Sequence, residues 1–364
     1  MASQTIPTRI LIISDTHCAS LDGVPGSGFK RPLPPADLLI HCGDLTHRGR
    51  TEEYHKCLDM LQEIDAPVKL VIAGNHDCTL DRDFMLGHLR EFGPVRETAE
   101  ERFRETRTLW TAKDGRAKRE GVTFLDEGTH TIELPHGASV KVYASPYTPE
   151  FCDWSFPYEK YEDRYNDPPA SLSDATNIAS NPIPSFTHAE RPLDILITHG
   201  PPYERLDETT NGELPGCPHL LRALMRARPL VHCFGHIHEG RGAERVQWAE
   251  SASEVAAKAS STAAWKNGGY EKGIRDVKFE TQGWGFGDEQ QDHTAVVDGS
   301  SKGQRPLLRG EETVSWADGK VVRNMIADVS TKLLVNASIM NVRYRPVNAP
   351  WLLYLDLPVS ATEW

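Results

Sequence analysis

Six strand-length apolar runs, each closed at its carboxyl end by polar residues or a Gly-Pro turn, constrain this chain more than any other feature. They are RILIISDTH (9–17), DLLIHCGD (37–44), VKLVIAGNHD (68–77), VKVYASP (140–146), DILITHGPP (194–202) and LVHCFGHIH (230–238). Each holds four to six apolar or β-branched positions, the pattern of a strand buried on both faces. Two more strand-like runs, LLVNASIM (333–340) and WLLYLDLP (351–358), close the chain. Between them, Tyr54, Leu58, Leu61 and Ile64 share one helical face after an expected N-cap at Thr51. Thr79–Phe92 reads as a helix closed by Gly93, and Pro218–Arg228 as another with Leu220, Leu221 and Leu224 inward. Alternating strands and helices imply an α/β sandwich with a substantial parallel component, in which ligands gather at the carboxyl ends of strands. The polar clusters sit at those ends.

Two regions depart from this pattern. Residues 153–190 carry the Pro- and Asn-rich PPASLSDATNIASNPIP and read as an expanded surface loop. Residues 249–330 open with SASEVAAKASSTAAW and continue with GWGFGDEQQDH, a composition that buries little. They read as a low-complexity, partly disordered insertion with one helix near Glu254–Trp265, inside a single domain spanning 1–364.

The net charge of -12 argues against a protein that tracks along nucleic acid, which needs clustered Lys and Arg. An anionic substrate would then draw its positive charge most simply from metal ions. The seven cysteines are odd in number and lack CxxC spacing, the profile of reduced thiols in the cytoplasm rather than a disulfide framework. The N-terminal MASQTIPTR lacks a signal-peptide profile, and no apolar run approaches the ~20 residues of a membrane helix.

The chemistry is concentrated in the turns. Asp15-x-His17 alone is more often a turn than a ligand pair, and Asp44 after Gly43 could merely cap an element. Gly74-Asn75-His76-Asp77 is rarer, because an amide, an imidazole and a carboxylate follow a buried strand directly. His199 in THGPP and the pair His236 and His238 in GHIH complete a series, DxH, GD, GNHD, H, GHxH, each at the end of its own strand. His41, Cys42, Cys78, His232 and Cys233 read as core packing, His47 as an exposed loop residue, Tyr54 as core and Arg241 as a solvated arginine.

This series resembles the calcineurin-like metallophosphoesterases, and SPYTPEFCDWSF (145–156), FGHIHEGRG (234–242) and VNASIMNVRYRPVNAPWLLYLDLP (335–358) resemble their metallophosphoesterase-domain-containing branch, similar to class III cyclic nucleotide phosphodiesterases. The resemblance implies a four-layer α/β/β/α sandwich of two mixed β-sheets flanked by helices. It implies a dinuclear centre of manganese, iron, zinc, cobalt or nickel, with Asp15, His17 and His238 on the first metal, Asp44 as the bridge, and Asn75, His199 and His236 on the second. Some members of the branch carry Gly where His236 stands; this chain keeps the histidine. The resemblance makes His76 the general acid, with Asp77 orienting its ring, and implies in-line attack of a metal-activated bridging water on phosphorus. Trp154 and Phe156 fall where an aromatic could stack on a nucleobase or pack as a lid. The expected substrate is a small phosphodiester such as a cyclic nucleotide. A phosphomonoesterase or protein phosphatase, and a metal-holding scaffold without turnover, are the alternatives.

Overall fold

The computed structural model describes residues 4–92, 95–187, 193–247 and 331–360, with the strand segments 279–280, 295–299, 313–314 and 320–325. The first sheet is built on Thr5–Ile13 (β1), Leu38–His41 (β2), Val68–Val71 (β3) and Val122–Phe124 (β4), paired in parallel in that order. The second contains Gly128–Glu133 (β5), Ser139–Ser145 (β6), Ile195–Thr198 (β7), Val231–Phe234 (β8), Gly242–Gln247 (β9) and Thr331–Asn336 (β10). Its central strands, in the order β6, β7, β8, β10, are parallel, while β5 and β9 flank them antiparallel. The last strand, Trp351–Pro358 (β11), returns to the first sheet and pairs antiparallel with β1. Both sheets are therefore mixed.

Alternation along each strand separates the layers. Ile10, Ile12, Leu38, Ile40 and Leu70 face inward and meet Val140, Val142, Ile195, Ile197, Val231 and Val335 of the second sheet. Leu11, Ile13, Leu39 and Val71 face outward onto Tyr54, Cys57, Leu58 and Leu61 of the helix Thr51–Gln62 (α1) and onto Trp110 of the helix Arg96–Thr111 (α2). Tyr143, Leu196, Phe234 and Leu334 pack outward on Leu220, Leu221 and Leu224 of Pro218–Ala227 (α3). Two sheets buried on both faces need this four-layer α/β/β/α arrangement, the one the family resemblance implies.

Several local expectations change. Arg50 occupies the N-cap of α1, with its amide donating to Glu53, so Thr51 is the first helical residue. The expected helix over 79–92 is broken: a 3-10 turn spans Cys78–Leu80, and Asp81 caps a new short helix at Arg82 by accepting from the Phe84 amide. Arg228 ends α3 in the left-handed conformation. The 153–190 region is irregular over its described residues, with the two-residue strands Pro157–Tyr158, Glu162–Asp163 and Thr176–Asn177 and the 3-10 turn Pro168–Ala170. Within the expected insertion, residues 295–299 and 320–325 extend the first sheet beyond β11, and 279–280 pairs with β9. The β-branched runs in AVVDG and KVVRNM suit such pairing, so this region is partly sheet edge rather than wholly apart from the sheets. The helix expected at 254–265 and the cap at Gly93 lie outside the described residues.

Candidate metal centre

The parallel strands of both sheets end on one rim, and a parallel bridge between Ser14 and Ser338 joins the two sheets there. The turns after β1 and β2 are zipped together, with Asp15 N donating to Gly43 O at 3.0 Å and His17 N to Asp44 O at 3.1 Å. Asp15, His17, Asp44 and His236 all take positive φ values of 53°, 40°, 57° and 68°. Non-glycine residues held in this sparsely populated region cluster at functional sites. Two glycines give the close approach its room: a Cβ on Gly235 would lie 2.1 Å from Asp15 Oδ2, and one on Gly74 would lie 2.3 Å from Asp44 Oδ1.

All seven expected metal ligands come together. His238 Nε2 lies 3.6 Å from Asp15 Oδ1, His17 Nε2 3.5 Å from Asp44 Oδ2, and His199 Nε2 3.3 Å from Asp44 Oδ1. Asn75 Oδ1 is 2.8 Å from both His199 Nε2 and His236 Nδ1. The ligand atoms of Asp15, His17 and His238 lie within 4.8 Å of one another, as do those of Asp15, Asp44 and His199, and those of His17, Asp44 and His76. Asp44 thus stands between two ligand groups, the position of a bridging carboxylate.

Backbone carbonyls aim the imidazoles. His17 Nδ1 donates to Thr46 O at 2.8 Å, His199 Nδ1 to Cys42 O at 2.9 Å and His238 Nδ1 to Asn341 O at 3.2 Å. Each leaves Nε2 for the centre, the arrangement that fixes tautomer and ring plane in metal-ligating histidines. Buried His17 Nε2 has no hydrogen-bond partner. His199 Nε2, with its Nδ1 proton committed, faces an amide oxygen at 2.8 Å and needs a proton or a cation between them. Mixed carboxylate, amide and imidazole donors fit two divalent first-row metals, and do not choose among them.

The protonation pattern points the same way. Burial opposes charge on His199, but Asp44 and Asp15 outweigh it and raise its pKa to about 9. Burial likewise opposes ionisation of Asp15, but the His238 hydrogen bond and charge hold it down at about 2. Asp44 is held well below the usual carboxylate range, against its burial, by His199, His76 and His17. Burial pushes His17 down to about 4 and, with His199, His236 down to about 3, leaving both with lone pairs for a metal.

His76 sits beside the ligands with its Nδ1 donating to His47 O at 2.8 Å. This corrects the expected role of Asp77. The Asp77 carboxylate turns into the protein, where it accepts from the amides of Leu45, Thr46 and Gly74 and from Thr46 Oγ1. It clamps the turn after β2 to the turn after β3, while a backbone carbonyl fixes His76. Burial and the neighbouring Asp44 charge raise Asp77 to about 7.

Trp154 stacks on the His76 imidazole with ring centroids 4.0 Å apart, and Ser155 Oγ ties its loop to Asn75 O at 2.7 Å. One indole face is therefore already taken, with Arg48 5.1 Å from the ring. Phe156 is buried against Tyr147 and lies in the core, so it is not a base-stacking platform. Arg241 is not solvated as expected: it covers the Trp351 ring at 4.7 Å and donates to Ala349 O. His41, Cys42, Cys78, His232, Cys233 and Tyr54 are buried and His47 is exposed. Tyr344, which sequence reasoning passed over, lies against His17, His238 and His76, with centroids at 4.9, 5.2 and 6.1 Å. A cleft of about 430 Å³ opens over the centre between Trp154, His76, His236, His238, Glu239 and Tyr344.

A chain with this rim of ligands belongs to the calcineurin-like phosphoesterase family, whose signature it matches over residues 8–240. Metallophosphoesterase domain-containing protein 1 of Homo sapiens is 31% identical over 241 residues, covering 65% of this chain and 62% of that protein. A protein of Emericella nidulans named probable rhamnogalacturonate lyase C is 34% identical over 242 residues, 66% of this chain but 18% of that far longer protein. The chain thus spans less than two thirds of either relative. Among solved structures, phosphopantetheinyl hydrolase from Mycobacterium tuberculosis aligns over 66% of this chain and 85% of its own, at 17% identity and a TM-score of 0.36.

Proposed function

We propose that the protein is a dinuclear-metal phosphodiesterase acting on small or cyclic nucleotide phosphodiesters. The observation that carries this reading is the convergence of seven donors on one rim with a non-ligand imidazole, His76, fixed beside them. Asp15, His17 and His238 would hold one cation, Asn75, His199 and His236 the other, and Asp44 both. When bound, two such cations neutralise phosphoryl charge and lower the pKa of a water to make the nucleophile. Asn75 supplies a neutral oxygen where a third carboxylate would repel an anionic ester. His76, with Nδ1 engaged by His47 O, offers Nε2 to the leaving-group oxygen. The water oxygen bonds to phosphorus and its proton passes to solvent, the P–O bond to the leaving group breaks, and the departing oxygen takes the His76 proton, which solvent then restores. The cleft beside the centre has room for an ester substituent beyond the phosphate, and the net charge of -12 favours a small substrate over long nucleic acid. All seven cysteines are free, which suits a cytoplasmic enzyme. Among the described residues, no helix is long and apolar enough to cross a membrane.

The test is hydrolysis of bis(p-nitrophenyl) phosphate beside p-nitrophenyl phosphate by protein stripped of metal and reloaded with manganese, with His76→Ala as control. Manganese-dependent turnover favouring the diester, reduced about 10²- to 10⁴-fold in His76→Ala with metal content intact, is the expected result. Preference for the monoester would make the protein a phosphomonoesterase. No turnover with two metals bound would make it a scaffold.

A further inference from the structure

Tyr344 is an exposed aromatic residue, 47% accessible, in a left-handed backbone conformation with φ 53°. A bulky residue seldom adopts that conformation unless its surroundings impose it. The loop that imposes it is short and internally bonded. Tyr344 N donates to Asn341 O at 2.9 Å, and Asn341 Oδ1 accepts from the amides of Arg343 and Arg345 at 2.9 and 3.2 Å. The same Asn341 carbonyl receives the proton of His238 Nδ1. One turn therefore aims a metal ligand and presents a phenol over the ligand cluster.

The phenol oxygen lies 3.5 Å from His76 Nε2. That is too long for a strong bond between the two, yet an oxygen placed about 2.8 Å from each would bond to both. His76 Nδ1 is engaged by the His47 carbonyl, so Nε2 is the nitrogen that faces substrate. Resting on the phosphoester hydrolase reading above, we propose that Tyr344 is a further catalytic residue. Its hydroxyl donates a hydrogen bond to the leaving-group oxygen as that oxygen accepts the His76 proton. The phenol keeps its own proton throughout; it stabilises charge on the departing oxygen and does not replace the acid.

The role predicts a dependence on leaving group, because a poor leaving group builds up more charge on its oxygen. Manganese-loaded wild type and Tyr344→Phe are compared on 3',5'-cyclic AMP, which releases an alkoxide, and on bis(p-nitrophenyl) phosphate, which releases a stabilised phenolate. The monoester pair of glycerol phosphate and p-nitrophenyl phosphate is run in parallel. The variant retains the ring and should retain both metals. Its kcat should fall about 10- to 100-fold on the alkoxide-releasing member and less than about 3-fold on the nitrophenolate-releasing one. An equal fall on both members, or no fall on either, overturns the proposal. Should the wild type cleave monoesters alone, the diesterase reading fails while the monoester pair still decides Tyr344. With no turnover at all, orthovanadate binding decides: affinity about 10-fold weaker in Tyr344→Phe supports the hydroxyl contact, and equal affinity overturns it.

Discussion

His41 and His232 lie within strands of the two sheets; His17 and His199 lie just past the ends of neighbouring strands. None of the four is more than 2% exposed. Inside the strands, each histidine has a threonine hydroxyl at 2.8 Å on Nε2 and an Nδ1 without a hydrogen-bond partner, and burial pushes both down to about 3. At the rim, backbone carbonyls take Nδ1 and Nε2 faces carboxylates. His199 is raised to about 9, while His17 reaches only about 4 because burial and the charge of His76 act against Asp44. Burial alone makes a histidine a neutral packing unit. The carboxylates at the rim turn the same side chain into one that wants a cation beside it.

The largest expected effect removes that distinction. Asp44→Asn deletes the carboxylate shared by both ligand groups; metal analysis should show fewer than two ions per chain and hydrolysis should fall by more than about 10³-fold. Two bound metals with unchanged turnover would break the comparison. The adjacent residues His76 and Asp77 sharpen it. Asp77→Ala strands three buried amides and should lower the urea midpoint at constant m by an amount equivalent to about 3 kcal/mol. His76→Ala, on the cleft surface, should lower stability by less than about 1 kcal/mol while cutting turnover about 10²- to 10⁴-fold. Equal destabilisation by both would return Asp77 to the role of a ring-orienting partner.

The smallest effect concerns the strand interior. His232 has a folded pKa of about 3 against an ordinary 6.5, so in that window the unfolded chain binds the extra proton. Stability from this residue is present above 6.5 and is lost as pH falls through the window, at no more than about 1.4 kcal/mol per pH unit. His232→Gln should flatten the acid limb of a stability-against-pH curve and leave metal content unchanged. An unaltered slope would show that His232 is protonated in the folded protein.

The strand ends were legible because a buried run that stops at GNHD or GHIH leaves its polar groups nowhere to go but a shared rim. The α/β sandwich followed from the alternation of strand and helix patterns, whereas its four layers were implied by the family resemblance. What orients the site was hidden for a physical reason: carbonyls of Thr46, Cys42, His47 and Asn341 aim the imidazoles, and a backbone carbonyl has no letter in a sequence. Asp77 could not be separated from an orienting carboxylate, since adjacency in the chain does not tell which way a side chain turns. Tyr344 had one available signal, an aromatic within the Asn-Val-Arg-Tyr turn between two predicted strands. The helix α2 carries RETAEERFRETRTLWT with Ala99, Thr106 and Trp110 as its buried residues, too few to stand out by period.

Gln247 at the end of β9 and Thr331 at the start of β10 face each other across an antiparallel ladder, as two arms of a hairpin do. Their backbones are therefore held about 5 Å apart. The polypeptide that joins them is held to both sheets on the way, at 279–280, 295–299 and 320–325, so only the stretches between those pairings can change length freely, at about 0.6 kcal/mol for each doubling. The ladder begins a few residues after His238. A change of length in those stretches leaves the register of β9 on β10, beside the candidate ligand His238, as it is.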